Sequence, residues 1–362
     1  MVSTVGSDAF AVPSVHRVAF WPGEGWLYRR FVWFAGSLLL LLGLDELRLR
    51  GGDIRRWDWL FVTGILAFLI ALRPSLALPD KMHATLARLV AGKVLSAESD
   101  DLEAFERELH RSSRWAALVG GAVTVPVLVV VWIVARGGVT LYTIVEAAAA
   151  LPVGLCIGRT VGYGRLGRRL NRSRSIIAVD PEHLDGATGL RPVGDFYFFQ
   201  AKLLAVPAAF LGAWWVAIPF YGGQYDGWRN AYAALLAFVL LCELLAFFLP
   251  LRSFHLIMKE EKQRLLAEAD EISHQALEVQ RQLRAAPESV EVTRLEDRLG
   301  RLAHRYQAIE KMPTWPVSVR VRRRFALNNL ILLIPVIAQL IGAPDSLQRL
   351  LDTLEKALTG RA

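Results

Sequence analysis

From Trp115 to Ala135 the chain runs without a single charged side chain, and it does so again from Leu203 to Tyr221. About 20 apolar residues in a helix cross the ~30 Å of hydrocarbon in a bilayer, and few soluble cores are long enough to bury such a run. Ala231 to Leu251 is a third run, with Glu243 its one charge. Phe325 to Ala343 is uncharged but carries Asn328, Asn329 and Gln339, and Val139 to Gly158 is apolar except for Glu146. These five are expected to be spans. Two shorter runs, Phe31 to Leu44 and Trp59 to Leu72, read as a hairpin whose flanking Arg29, Arg30 and Arg73 snorkel. Tryptophans at the run ends (Trp57, Trp59, Trp115, Trp132, Trp214, Trp215, Trp228) fit an interfacial belt. The expected fold is all-α: a multi-pass α-helical membrane protein of about seven spans, or five plus a shallow N-terminal hairpin.

Composition closes off the alternatives. Of 362 residues 54% are apolar and 21% charged, with a mean hydropathy of +0.34, too apolar for a disordered chain. The two cysteines, Cys156 and Cys242, both lie in apolar runs, which rules out a disulfide framework and a cysteine-rich zinc site. Residues 1–25 contain no apolar stretch of signal-peptide length.

The net charge of +8 gains meaning from where it sits. Residues 159–195 hold seven Lys and Arg, residues 73–114 hold seven, and the two intervening loops hold Arg136 and Arg229 alone. The positive-inside rule then puts the rich loops and the N-terminus in the cytoplasm, in a plasma or bacterial inner membrane. Arg48, Arg50, Arg55 and Arg56 conflict with this, because they fall on the outer side. The charge distribution points to anionic lipid headgroups as partners and disfavours nucleic acid.

Leu265, Ala269, Ile272, Ala276, Val279, Leu283 and Ala286 follow a heptad seam, and after Pro287 so do Val292, Leu295, Leu299, Leu302, Tyr306 and Ile309. The pattern predicts a cytoplasmic antiparallel coiled-coil hairpin, ended by Pro313 and Pro316. The expected organisation is an N-terminal segment (1–25), a membrane hairpin (26–79), a cytoplasmic helical segment (80–114) and a four-span core (115–251) with the Arg-rich loop 159–195. The coiled-coil hairpin (252–313), a last span (314–343) and a C-terminal amphipathic helix (344–362) follow.

Ionisable residues inside spans are costly and become functional candidates by default. Glu146, Lys202 and Glu243 are the candidates for an ion or proton pathway, with Lys202 and Glu243 expected to pair. Asn328 and Asn329 read as interhelical hydrogen-bonders. Gly154, Gly158 and Gly162 form a small-residue row for close helix packing; Gly162-Tyr163-Gly164-Arg165-Leu166-Gly167 matches a dinucleotide pattern but follows a membrane helix, not a strand. The row is expected to unravel into the loop of Arg159, Arg165, Arg168, Arg169, Arg172 and Arg174, which with Arg320, Arg322, Arg323 and Arg324 would contact anionic lipid or phosphate.

Asp180, His183, Asp185 and Asp195 make a loop site candidate. With Glu182 they are weak candidates for a metal, although no EF-hand spacing is present. Glu103, Glu106 and His110 read as an exposed helix face. No hydrolase, kinase or oxidoreductase signature occurs, and no cofactor is implied. The leading functional expectation is a non-enzymatic, homo-oligomeric channel or signal-transducing membrane component, with the hairpin available to a cytoplasmic protein partner. The alternatives are an ion- or proton-coupled transporter and a membrane-embedded enzyme acting on lipid headgroups.

Overall fold

The computed structural model describes residues 29–96, 99–136, 141–172, 176–183, 185–221, 225–285 and 289–340. The expected N-terminal segment and the C-terminal amphipathic helix lie outside these residues, as do Arg174 and the hairpin tip at 286–288. Apart from one two-residue antiparallel ladder, which pairs Leu95 with Ile177 and Ser96 with Ile176, the regular structure of the described residues is helical. In order the helices are α1 (Phe31–Arg50), α2 (Trp59–Ser75), α3 (Leu78–Ala91), α4 (Ser99–Arg136), α5 (Leu141–Tyr163), α6 (Leu166–Arg172), α7 (Arg191–Ala217), α8 (Asp226–Ala285), α9 (Ser289–Glu310) and α10 (Val319–Leu340).

Three stretches among the described residues are long and apolar enough to cross a membrane: Trp59–Ala91, Arg191–Tyr221 and Leu235–Arg284. That is fewer than the seven expected. At α1 charge is the reason, because Asp45, Glu46, Arg48 and Arg50 fill its last turns. Only 39% of the apolar window on α7 and 33% of that on α8 is buried within the protein, which leaves a broad apolar surface for lipid.

α7 sits at the centre, packed on α2, α3, α8 and α10. At the end near the Arg-rich segment it builds one core with Met82 and Leu86 of α3, Leu109 of α4, Leu166 and Leu170 of α6, Phe254 of α8 and Phe325 of α10. At the other end Trp214, Trp215, Tyr225, Tyr232 and Leu236 form a second core against Trp59 and Leu60. Leu38, Leu42, Phe61, Ile65 and Val145 join α1 and α2 to α5.

α4 and α5 approach to backbone contact. A Cβ on Gly154 would stand 2.5 Å from the Gly120 carbonyl oxygen, and one on Gly162 would stand 2.6 Å from the Ser113 Cα. After Gly162 the chain does not unravel as expected. It turns at Gly164 and Arg165 and resumes as α6, so Arg168, Arg169 and Arg172 are helical. Burial of Leu166 and Leu170 against the core stabilises this short helix, a tertiary contribution that local charge density conceals.

The tip between α1 and α2 accounts for its discordant arginines. α1 ends at Gly51, whose φ of 66° suits glycine. The Arg50 guanidinium reaches Glu46 at 3.3 Å and Asp58 at 3.6 Å, while Arg56 pairs with Asp53 at 3.2 Å. Asp58 caps α2 through the Phe61 amide and accepts a hydrogen bond from the Tyr225 hydroxyl at 3.2 Å. Burial, and the carboxylate it donates to, push that phenol up to about 12, so it stays a donor at neutral pH. The contact puts the tip at the Trp214–Tyr225 end, opposite the Arg-rich end, with two of its arginines compensated by acids.

α8 continues unbroken for 60 residues, about 90 Å, through Pro250 and out of the apolar region. α9 returns along it. Leu265, Ala269 and Ile272 bury against Ile309 and Met312, and Arg305 pairs with Glu268. Lys262 donates to the carbonyls of Glu310 and Met312, both at 2.9 Å. His255 stacks on Trp315 at 4.4 Å and donates from Nδ1 to the Thr314 carbonyl at 2.6 Å. The link into α10 is thus clasped to α8.

Candidate functional site

Glu243 lies on the face of α8 turned to α10 and is 0% exposed. Asn329 Nδ2 donates to Glu243 Oε1 at 3.3 Å and to its own Phe325 carbonyl at 3.1 Å. Glu243 Oε2 is buried without a hydrogen-bond partner, and so is Asn328 Nδ2. Below them Phe247 stacks on Phe325 at 4.3 Å, with Phe198 edge-on to both. The structure does not bring Lys202 to Glu243. Its ammonium is exposed and sits 4.5 Å over the Phe198 ring, because Lys202 and the inward-facing Ala201 and Leu203 lie on different faces of α7. Glu146 is on α5, but its side chain lies outside the described residues.

A second buried polar group lies at the Arg-rich end, where the sequence suggested an exposed face. Glu106 and His110 are each 4% exposed. Glu106 Oε1 is 2.9 Å from His83 Nδ1 and 3.3 Å from His110 Nε2; His110 Nδ1 meets the Tyr163 hydroxyl at 2.9 Å. Tyr197 donates to the Tyr163 carbonyl at 3.0 Å. Burial pushes the Glu106 carboxyl up, but the hydrogen bonds from His110 and His83 outweigh it and hold the group below its ordinary 4.5.

A depressed carboxyl contributes stability above its unfolded value and loses it as pH falls through the folded one. Glu106→Gln is therefore expected to lower stability at neutral pH by about 2 kcal/mol and to flatten the loss of stability below about pH 4.5. Thermal melts of both proteins across that range check this. Parallel curves would show that Glu106 is not the group responsible. The sequence signal was present in the Glu106/His110 spacing; the missing part was α3, which supplies His83.

The loop at 180–190 is organised on its own backbone. Asp185 Oδ1 accepts the amides of Ala187 at 2.8 Å and Gly189 at 2.9 Å, and Oδ2 accepts that of Arg191 at 3.2 Å, at the start of α7. His183 Nδ1 accepts the Asp185 amide at 3.3 Å, and Asp180 accepts that of Glu182 at 2.9 Å. Asp195 pairs with Arg191 at 3.6 Å. These carboxylates shape a turn, and among the described residues no group of three or more His, Cys, Asp or Glu is arranged to hold a metal ion. An open cleft of about 330 Å³ separates this loop from the end of α9, lined by His183, His304, Gln307 and Lys311 among others.

Of the basic residues, Arg159 is buried, and Arg169 bonds Glu108 at 3.2 Å. Arg165, Arg168, Arg322, Arg323 and Arg324 are exposed, while the side chains of Arg172 and Arg320 lie outside the described residues. Comparison with protein-family models, curated proteins and solved structures finds no match to this chain.

Proposed function

We propose that the protein is a non-enzymatic integral membrane component, an oligomeric channel or signal transducer, in which the α8–α9 hairpin is the input and the membrane helices are the output. The single observation that carries this reading is the continuity of α8. One 60-residue helix belongs both to the apolar bundle and to the projecting arm. The helix runs on through Pro250 without a break, so displacement of the arm is passed to its membrane half. The Lys262 and His255 clasps transmit the same displacement to α10.

In this reading α1, α2, α4, α5, α7, α8 and α10 make up the seven spans, and the arm is an antiparallel coiled coil in the cytoplasm. On α8 the burial pattern supports this, with Val279, Ile272 and Leu265 of the seam buried and Leu266 and Leu277 outside it exposed; on α9 Ile309 is buried and Tyr306 is exposed. Orientation in the plasma membrane follows from the exposed Arg165, Arg168, Arg322, Arg323 and Arg324 at one end, which meet anionic headgroups, and from the acid-compensated arginines of the α1–α2 tip at the other.

The test replaces residues 262–311 with a short Gly-Ser linker, which the proximity of Lys262 to Met312 permits. In liposomes the shortened chain is expected to insert and melt like the full one, while losing its oligomeric state and any ion flux. A shortened protein that retains the oligomer and flux of the full chain overturns the proposal.

A further inference from the structure

The geometry points to Glu243, Asn328 and Asn329 as an intramembrane binding site for one monovalent cation, a proton or a sodium ion, held between α8 and α10. The requirement comes from charge. Glu243 is fully enclosed on a helix apolar enough to span a membrane, and an uncompensated carboxylate there is prohibitively costly. Among the described residues no Lys, Arg or His lies within ion-pair distance of it. On α7, Lys202 sits over Phe198, and Arg191 pairs with Asp195. On α6, Arg168 is exposed and Arg169 bonds Glu108. On α10, Arg322, Arg323 and Arg324 are exposed at the helix start, more than a turn from Asn329. On α8 itself, Arg252 is exposed and Arg229 lies against Trp215 at the far end.

The amides lessen the cost of the enclosed charge but supply no cation to cancel it. Asn329 neutralises none of the charge and occupies only Oε1. Oε2 makes no well-formed hydrogen bond, and neither does the amide nitrogen of Asn328, which lies close enough to act on the carboxylate. A bound proton cancels the charge and makes Oε2 a donor. A bound sodium ion takes the carboxylate oxygens, and a turn of the Asn328 amide about its last bond adds its oxygen, the ligands that a hard cation prefers. Either one adds a single positive charge and leaves the site neutral. The site bridges α8 and α10, the two helices that the hairpin joins, so its occupancy and the position of the arm are linked. The inference depends on α8 crossing the membrane but not on the hairpin acting as an input.

The test uses the full chain in lipid nanodiscs. Two signals are followed in wild type and Glu243→Gln: the infrared carbonyl band of a protonated carboxylic acid, and binding of radioactive sodium. The amide of Glu243→Gln still accepts from Asn329, and a matching melting curve shows that this variant is folded. For a proton site, a band absent from Glu243→Gln fades as pH rises and ignores sodium. For a sodium site, the band fades on sodium addition at fixed pH and about one sodium binds per chain, lost in Glu243→Gln. Asn329→Ala, which removes a hydrogen bond to the charged form, shifts the midpoint of the operative titration by about tenfold in cation concentration. A difference band that ignores both pH and sodium, or no difference band and no sodium bound, overturns the inference. Detergent partitioning of the same samples reports separately on whether the chain is a membrane protein at all.

Discussion

Gly158→Leu is expected to lower recovery of folded protein sharply. A Cβ at this position would overlap the Ala116 carbonyl and stand 2.8 Å from the Ala117 Cα, both backbone atoms that cannot move aside alone. The neighbours in the row are equally tight, so α4 and α5 would have to separate along their whole contact, from Gly120–Gly154 down to Ser113–Gly162. Overpacking a close contact costs about 3 kcal/mol, and separation also breaks the bond that Ser113 donates to the Arg159 carbonyl at 3.4 Å. Since a typical domain is stable by only ~5–15 kcal/mol, the loss should appear as aggregation or a collapsed yield in detergent size-exclusion. Gly300→Leu on α9, where nothing lies within 4 Å of an added Cβ, is the control. Equal recovery of the two variants would mean that α4 and α5 do not pack this way.

Arg50→Ala carries the next largest expected effect, a destabilisation of about 3 kcal/mol. Its guanidinium is 24% exposed, but the Glu46 and Asp58 carboxylates that it holds are almost wholly buried, at 0% and 5%. Glu46 also accepts the Asp58 amide at 3.2 Å, and Asp58 takes the Tyr225 hydroxyl, so both acids are fixed in place and cannot turn to water. Removing the cation leaves two like charges facing each other in a poorly hydrated corner. Arg50→Lys should recover part of the loss, because a single ammonium cannot hold both acids with the geometry of a guanidinium fork. Arg50→Ala combined with Glu46→Gln should be less destabilised than the sum of the two single changes, since the second removes the charge that the first exposes. Strict additivity in thermal melts would rule out the coupling.

Legibility in the sequence differed between these sites for physical reasons. The apolar runs now in α7 and α8 were plain, because hydrocarbon demands one composition over a fixed length and a window of sequence records it directly. The spacing of Gly154, Gly158 and Gly162 was equally plain; what it faced was not, since Ala116, Gly120 and Ser113 approach only once the second helix is docked. Glu106 and His110 were misread as solvated because helical spacing shows that two residues share a face without showing what covers it. His83 and Tyr163 cover it, and they come from 23 and 53 positions away along the chain. Lys202 and Glu243 were matched by depth alone, and depth leaves rotation about each helix axis open.

What the sequence by itself determined is the helical class and the apolar stretches now in α2, α7 and α8, because each is decided by residues within a few positions of one another. Only the tertiary structure decided which polar groups are enclosed and with whom: Asn329 for Glu243, two histidines for Glu106, and Arg50 for two buried acids. Burial and electrostatic pairing depend on how helices rotate against one another. That rotation is set by the summed packing of the whole bundle, which no local pattern encodes.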